Sequence, residues 1–225
     1  MPVSHKAIEP TAEIHRYVVR HGRAADPLLE ELAEVSREKF PAMGHMTLPL
    51  DEAALLGFLV RLTGASAIVE VGMFTGSSTI ALARALPPGG RVLTCEIDAR
   101  CAEIGESYLE RAGVADRVDV RVGPALDTLR SLPGIAHLDL VFIDADKPGY
   151  LGYWDELVPR VRPGGLLVVD NTLFSGQVVD PAPGSKAAAV HAFNEHARAD
   201  ERVELVMMHL ADGVTLARRL AEPAV

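Results

Sequence analysis

The stretch "VEVGMFTGSSTIALARAL", Val69 to Leu86, changes character twice. It opens as a short β-branched run, turns through Gly72 and Gly76, and from Ser77-Ser78 onward places its apolar residues at helical spacing. Strand, glycine turn and helix in that order form the opening unit of an α/β fold. The remaining chain decides whether the unit repeats.

It does repeat. "AIVEVG" (67–72), "RVLTCEID" (91–98), "RVDVRVG" (117–123), "LDLVFID" (138–144) and "GLLVVDN" (165–171) predict strands, with helical stretches at 77–86, 100–112, 125–131 and 150–160 between them. Short apolar strands alternating with helices predict a parallel sheet covered on both faces. "VELVMMHLADGVTLARRL" differs: two strands folded back around Asp212-Gly213, so the sheet is expected to finish antiparallel. Ahead of the alternation, residues 11–63 predict three helices. These are "TAEIHRYVVRH", then "DPLLEELAEVSREKF" with Asp26 as N-cap and Pro27 at N1, then "DEAALLGFLVRLTG" ending at Gly64. "PAMGHMTLP" is a loop between the second and third. With no repeat and no low-complexity linker, one domain over 1–225 is expected, made of a helical cap (1–64) and an α/β core (65–225).

Composition narrows the partners. The 22 Lys+Arg against 31 Asp+Glu give a net charge of −9, and no basic run stands out, which argues against nucleic acid. "MPVSHKAIEP" has no apolar run after its charges, so no secretory signal is expected. Nor does any apolar run approach the ~20 residues that span a bilayer, so no membrane partner is expected. Cys95 and Cys101 match neither a zinc nor a redox spacing and are expected to be buried free thiols in a cytoplasmic protein.

Ligands of such folds bind at the carboxyl ends of strands. Gly72 and Gly76 form G-x-x-x-G rather than the G-x-G-x-x-G of nicotinamide dinucleotide sites. Glu70 lies just ahead of the loop, and Glu96 ends the second strand. Gly72 and Glu96 are 24 positions apart, near the ~20 expected for an acid that binds a ribose. A ligand with a ribose and no phosphates suits this loop, and S-adenosylmethionine (SAM) is the candidate. The competing account is that the glycines only permit tight packing and Glu96 is solvated.

"LVFIDADKPGY", Leu140 to Tyr150, runs from a buried strand straight into Asp144, Asp146 and Lys147. A packed core gains nothing from such charges unless they are partnered. The fifth strand ends in Asp170-Asn171. If strands one, four and five are neighbours, Asp144, Asp170 and Asn171 open into one crevice as hard oxygen donors suited to Mg²⁺. Asp170 and Asn171 converge only if the strand stops there, since neighbours along a strand point apart. The competing account makes Asp170 a loop cap and Asn171 a turn residue.

Together "EVGMFTGSSTIALARALPPGGRVLTCEID", "GPAL", "LVFIDADKPGY" and "GGLLVVDNTLFSGQVV" resemble the SAM-dependent, divalent-metal O-methyltransferases of the caffeoyl-CoA and catechol type, over roughly residues 26 to 219. The resemblance implies a class I methyltransferase (Rossmann-like) fold: a seven-stranded, mostly parallel sheet with a reversed last strand and helices on both faces. It implies Asp144, Asp170 and Asn171 as ligands of Mg²⁺ or another divalent cation such as Mn²⁺ or Ca²⁺. It implies cofactor contacts from Met46, Thr47, Leu48, Glu70, Gly72, Met73, Ser78, Glu96, Ala125 and Asp144, and Lys147 as the catalytic base. Related enzymes are usually homodimers, and the helical cap carries more apolar faces than a lid needs.

The sequence departs from the plant caffeoyl-CoA enzymes at Phe174-Ser175, where those carry Trp-Asn. "PAPGSKAAAVHAF" also lacks the aromatic and arginine residues of their thioester site. A small catechol or natural-product diol is therefore expected as methyl acceptor, attacking the sulfonium methyl in line. Three rivals differ in their needs. An NAD-dependent oxidoreductase lacks its third glycine, and a nucleic-acid methyltransferase lacks both basic charge and an N-P-P-Y run. A SAM-binding module without turnover would not need the full ligand set. Trp154 is expected to be a packing residue, and His191 and His196 solvated helix residues.

Overall fold

The computed structural model describes residues 11–22 and 25–221. Its strands are β1 (Ala67–Val71), β2 (Arg91–Glu96), β3 (Val118–Val122), β4 (Leu138–Ile143), β5 (Val161–Val169), β6 (Val203–Met208) and β7 (Val214–Arg219). They form one sheet in the order β3-β2-β1-β4-β5-β7-β6. The first five pair in parallel, and β7 lies antiparallel between β5 and β6. The hairpin at Asp212-Gly213 thus supplies the reversed last strand.

Side chains alternate across each strand, so every strand feeds two cores. Ile68, Val92, Leu140, Phe142 and Val168 face α2 (Pro27–Lys39), α3 (Leu50–Thr63), α4 (Ser77–Ala85) and α5 (Ala99–Arg111), packing with Leu32, Leu56, Ile80 and Leu109. Val69, Val71, Val141, Ile143, Leu167 and Val169 face α6 (Ala125–Ser131), α7 (Tyr150–Leu157) and α8 (Lys186–Ala199), packing with Leu129, Trp154, Leu157 and Phe193. α1 (Ala12–His21) buries none of its residues. Trp154 is fully buried, meets Phe193 edge-on at 5.5 Å, and donates its indole N–H to Asp200 Oδ2 at 2.8 Å. It packs, as expected. His191 and His196 are exposed on α8.

Local signals act as read. Asp26 caps α2 through Leu28 N at 3.0 Å, Pro27 occupies its first turn, and α3 stops at Gly64 with φ 65°. Cys95 and Cys101 are free and buried.

The boundaries that bear on the site differ from those expected. β4 stops at Ile143 and β5 at Val169, so Asp144, Asp170 and Asn171 lie just beyond the sheet. β5 starts at Val161, four residues early, because the Pro163-Gly164-Gly165 kink is absorbed by a register shift against β4. α7 ends at Leu157, and Pro159 sits in a 3₁₀ turn at Val158–Arg160, since proline cannot continue the hydrogen-bond ladder.

The two ends of the sheet carry different acids. At the amino end, Asp139 Oδ2 accepts from Ser66 N, Ser66 Oγ and Ala67 N at 2.8–2.9 Å, fastening β4 to β1. At the carboxyl end, Asp144 N donates to Val71 O and Asp170 N to Ile143 O, at 2.9 and 3.0 Å. The ends of β1, β4 and β5 therefore step along one edge. β1 is the strand from which the order runs outward in both directions, which opens a crevice there.

Candidate active site

The loop after β1 is shaped by its glycines. Gly72 has φ 100°, and a Cβ there would sit 1.9 Å from Asp144 O. Only glycine lets the loop pass this close to the end of β4. Gly76, φ 95°, precedes α4 and offers no side-chain cap, so the first N–H groups of that helix stay available. Ser77 Oγ is buried beside them with no protein partner.

Glu96 anchors the loop from the next strand. Its Oε2 accepts from Phe74 N at 2.6 Å and its Oε1 from Asp98 N at 2.8 Å. Burial raises the Glu96 carboxyl, and these N–H groups partly offset it. Glu70 lies beneath, fully buried, accepting from the Thr79 and Thr94 hydroxyls at 2.5 and 2.6 Å. Burial holds the Glu70 carboxyl up at about 7 in spite of those hydroxyls.

A cleft opens above the loop. Met46, Thr47 and Leu48 form one wall, Gly72, Met73 and Ser78 the other, and Asp144 closes one end. Phe74, Thr75 and Ser77 line it as well, which the sequence had not singled out. Glu70 and Glu96 sit under and behind the loop, outside the lining, and Ala125 begins α6 away from it. Thr75 is tied to the helical cap: Ser36 of α2 lies 2.7 Å from its hydroxyl, both fully buried.

Beside Asp144 stands Lys147. Its Nζ donates to Asp144 Oδ1 at 3.1 Å, to the Tyr150 hydroxyl at 2.6 Å and to Asn171 Oδ1 at 2.5 Å. Its partner is thus not Asp146, which accepts from Tyr153. Asn171 has φ 55°, a left-handed conformation, and its Oδ1 meets Lys147 Nζ. Asp170 Oδ1 accepts from Asn171 N.

Two residues of this cluster had escaped the sequence reading. Tyr150, fully buried, donates to Asp170 O at 3.0 Å and so ties Lys147 to the end of β5. Glu52, at the start of α3, is 1% exposed, and neither carboxylate oxygen has a donor. Burial, then the charges of Asp170 and Asp144, push the Glu52 carboxyl far up; burial and Asp144 push Asp170 up as well. The signal for Glu52 was an acid inside the apolar run "DEAALLGFLV", and for Tyr150 an aromatic three residues past Lys147. Among the described residues no three His, Cys, Asp or Glu side chains are arranged to hold a metal ion. Asp144 Oδ1 and Asn171 Oδ1 share Lys147 Nζ, and Asp170 lies close enough to Asp144 to feel its charge.

Backbone strain gathers here. Phe74, Asn171, Phe174 and Ser175 all have positive φ, and all lie in loops at the carboxyl edge.

A family model for O-methyltransferases matches residues 20–220. The chain belongs to the O-methyltransferase family. This O-methyltransferase is 41% identical over 191 residues to Tricin synthase 1 of Oryza sativa subsp. japonica, covering 79% of this chain and 76% of that protein. It is 37% identical over 231 residues to the caffeoyl-CoA O-methyltransferase of Eucalyptus gunnii, covering 97% and 92%. Among solved structures it resembles the O-methyltransferase TomG of Streptomyces achromogenes, involved in tomaymycin synthesis and solved with SAM. The TM-score is 0.86 at 35% identity, covering 93% of this chain and 96% of that one. The O-methyltransferase of Bacillus cereus, solved with S-adenosylhomocysteine, gives a TM-score of 0.84 at 33% identity, covering 92% and 97%. The chain is therefore a SAM-dependent O-methyltransferase with the class I methyltransferase fold. An NAD-dependent oxidoreductase and a non-catalytic binding module are not favoured.

Proposed function

We propose that this O-methyltransferase moves the methyl group of SAM to one hydroxyl of a small catechol-like or vicinal-diol acceptor, with a divalent cation at Asp144, Asp170 and Asn171. The observation that carries the proposal is the position of Lys147 Nζ. It lies within hydrogen-bond reach of two of those three donors. A base stands where an acceptor hydroxyl would meet the oxygen cluster.

The residues fit a hard cation. Two carboxylates and an amide oxygen are its preferred donors, and Glu52, buried close to Asp170 with its carboxyl pushed far up, leaves two oxygens without a protein donor beside them. When bound, such a cation supplies Lewis acidity that eases ionisation of a chelated hydroxyl. The protein's own part is positioning and proton transfer. The 46–48 wall and the 72–78 loop hold the cofactor, with Glu96 bracing the loop through Phe74 N. Lys147 takes the hydroxyl proton as oxygen attacks the sulfonium methyl, and S-adenosylhomocysteine leaves. Asp144, on the lining of the cleft and bonded to Lys147, joins the two halves so that donor and acceptor meet in line.

The acceptor side is built from Phe174-Ser175 and the start of α8, which lack the thioester-binding residues expected of a coenzyme A substrate. We therefore favour a free catechol or natural-product diol over the thioester named for the plant relatives. A homodimer is proposed through the helical cap, where Tyr17 and Val18 of α1 and Phe58 and Leu62 of α3 are exposed; light scattering at micromolar concentration tests it. The function is tested by incubating the protein with SAM, Mg²⁺ and a panel of catechols and diols. Monomethylated product, abolished by EDTA and restored by Mg²⁺ or Mn²⁺, is expected. Undiminished turnover of Asp170→Ala after chelation would remove the metal from the mechanism.

A further inference from the structure

The turn between β6 and β7 does more than reverse the chain. Three N–H groups of the 172–175 loop bind it: Thr172 N donates to Gly213 O and Leu173 N to Asp212 O, both at 2.9 Å, and Ser175 N donates to Asp212 Oδ1 at 2.5 Å. Thr215 Oγ1 adds a bond to Thr172 Oγ1 at 3.2 Å. The fit is close enough that a Cβ on Gly213, φ 90°, would meet Leu173 Cγ at 2.4 Å. On the loop, Asn171, Phe174 and Ser175 have positive φ, and on the turn Ala211 does. Non-glycine residues hold that conformation only where their surroundings impose it. Among the described residues, Asp212 is the turn's only side chain bonded to the loop's N–H groups, since the other two bonds come from backbone oxygens.

We propose that Asp212 is a positioning residue for the acceptor side of the site. By accepting from Ser175 N it fixes the 172–175 backbone, and with it the left-handed Asn171 that meets Lys147 at the preceding position. Asp212 touches neither of the reacting partners and acts through the loop. The inference rests on the proposed acceptor side only for the meaning of that loop. The cofactor cleft, built from residues 46–48, 72–78 and Asp144, does not include the turn.

The variants Asp212→Ala and Asp212→Asn test this. In the first, the side-chain acceptor is lost; in the second, an amide oxygen can still accept from Ser175 N. Asp212→Ala is expected to raise the KM for the acceptor about tenfold, the scale of one lost hydrogen bond to a charged group. S-adenosylhomocysteine affinity by calorimetry should stay within twofold of wild type, and Asp212→Asn should restore acceptor KM to within threefold. If Asp212→Ala does not fold, Asp212→Glu, which keeps the charge but displaces it by a methylene, carries the same expectation. Unchanged acceptor KM in Asp212→Ala, or a parallel loss of cofactor affinity and acceptor binding, would overturn the inference. So would Asp212→Asn behaving like Asp212→Ala. Mn²⁺ binding followed by electron paramagnetic resonance keeps the two proposals apart: a wild-type protein that binds no Mn²⁺ but shows the KM split loses the metal and keeps the role of Asp212.

Discussion

Lys147 and Asn171 stand 24 positions apart in the chain, yet Lys147 Nζ donates to Asn171 Oδ1 at 2.5 Å. One residue follows β4 and the other β5, so the bond joins two strand ends that the parallel pairing of the sheet places side by side. Tyr150 secures the arrangement from below, its hydroxyl between Lys147 Nζ and Asp170 O and its ring centroid 4.7 Å from the ammonium.

Removing that hydroxyl is the mildest perturbation of the cluster. Tyr150→Phe keeps the buried ring and loses both bonds, leaving Asp170 O without its donor. Thermal unfolding should show a loss of about 1–3 kcal/mol, the range for an orphaned buried acceptor. Turnover should fall while S-adenosylhomocysteine binding holds. Equal stability and equal kcat would mean that the Tyr150 hydroxyl plays no part in holding Lys147.

Cofactor affinity should depend on Glu96. Its carboxylate both braces Phe74 N and has remaining lone pairs for a ribose. Glu96→Ala should weaken S-adenosylhomocysteine binding by about 1.5–3 kcal/mol, the range for a hydrogen bond to a charged group. Calorimetry reads this directly. Tight binding of NAD with none of the homocysteine product would contradict the cofactor assignment.

How far the sequence carries this account depends on the kind of signal. The strands themselves and the reversed β7 follow from apolar runs, glycine turns and Asp212-Gly213, each a local pattern, whereas the order of the strands in the sheet is not local and was only assumed. That Asp144, Asp170 and Asn171 end neighbouring strands was legible only on the assumption that β4 and β5 pair, which they do. Glu52 was not. It belongs to α3, and nothing in helical spacing says that this turn of the cap presses against the carboxyl end of β5. Glu96 was legible as an acid near the loop, but its bonds to Phe74 N and Asp98 N need the fold of both segments. The early start of β5 was hidden by Pro163-Gly164-Gly165, which reads as a turn and is accommodated as an irregularity of the ladder.

Acid should report on Asp200, far from the cleft. Burial would raise its carboxyl, but bonds from Arg202 and the Trp154 indole outweigh this and hold it at about 2. Its folded-state value is below the ~3.9 of an unfolded aspartate, so the stabilisation is complete above about pH 4 and is lost as pH falls toward 2. Trp154 is the single tryptophan, so its fluorescence follows the bond. Asp200→Asn should flatten the acid limb of the stability curve between about pH 4 and 2. An unchanged limb would assign that loss of stability to other carboxylates.

The central claim is that Lys147 removes the proton from the acceptor hydroxyl, and Lys147→Met tests it most directly. Methionine keeps most of the side-chain volume and removes the amine. With a catechol that the wild-type enzyme methylates, kcat should fall by about 10²–10⁴, the contribution of a positioned base, with cofactor affinity nearly unchanged. Raising the pH should restore part of the rate, since hydroxide can then ionise the acceptor unaided. Near wild-type kcat at neutral pH would contradict the account.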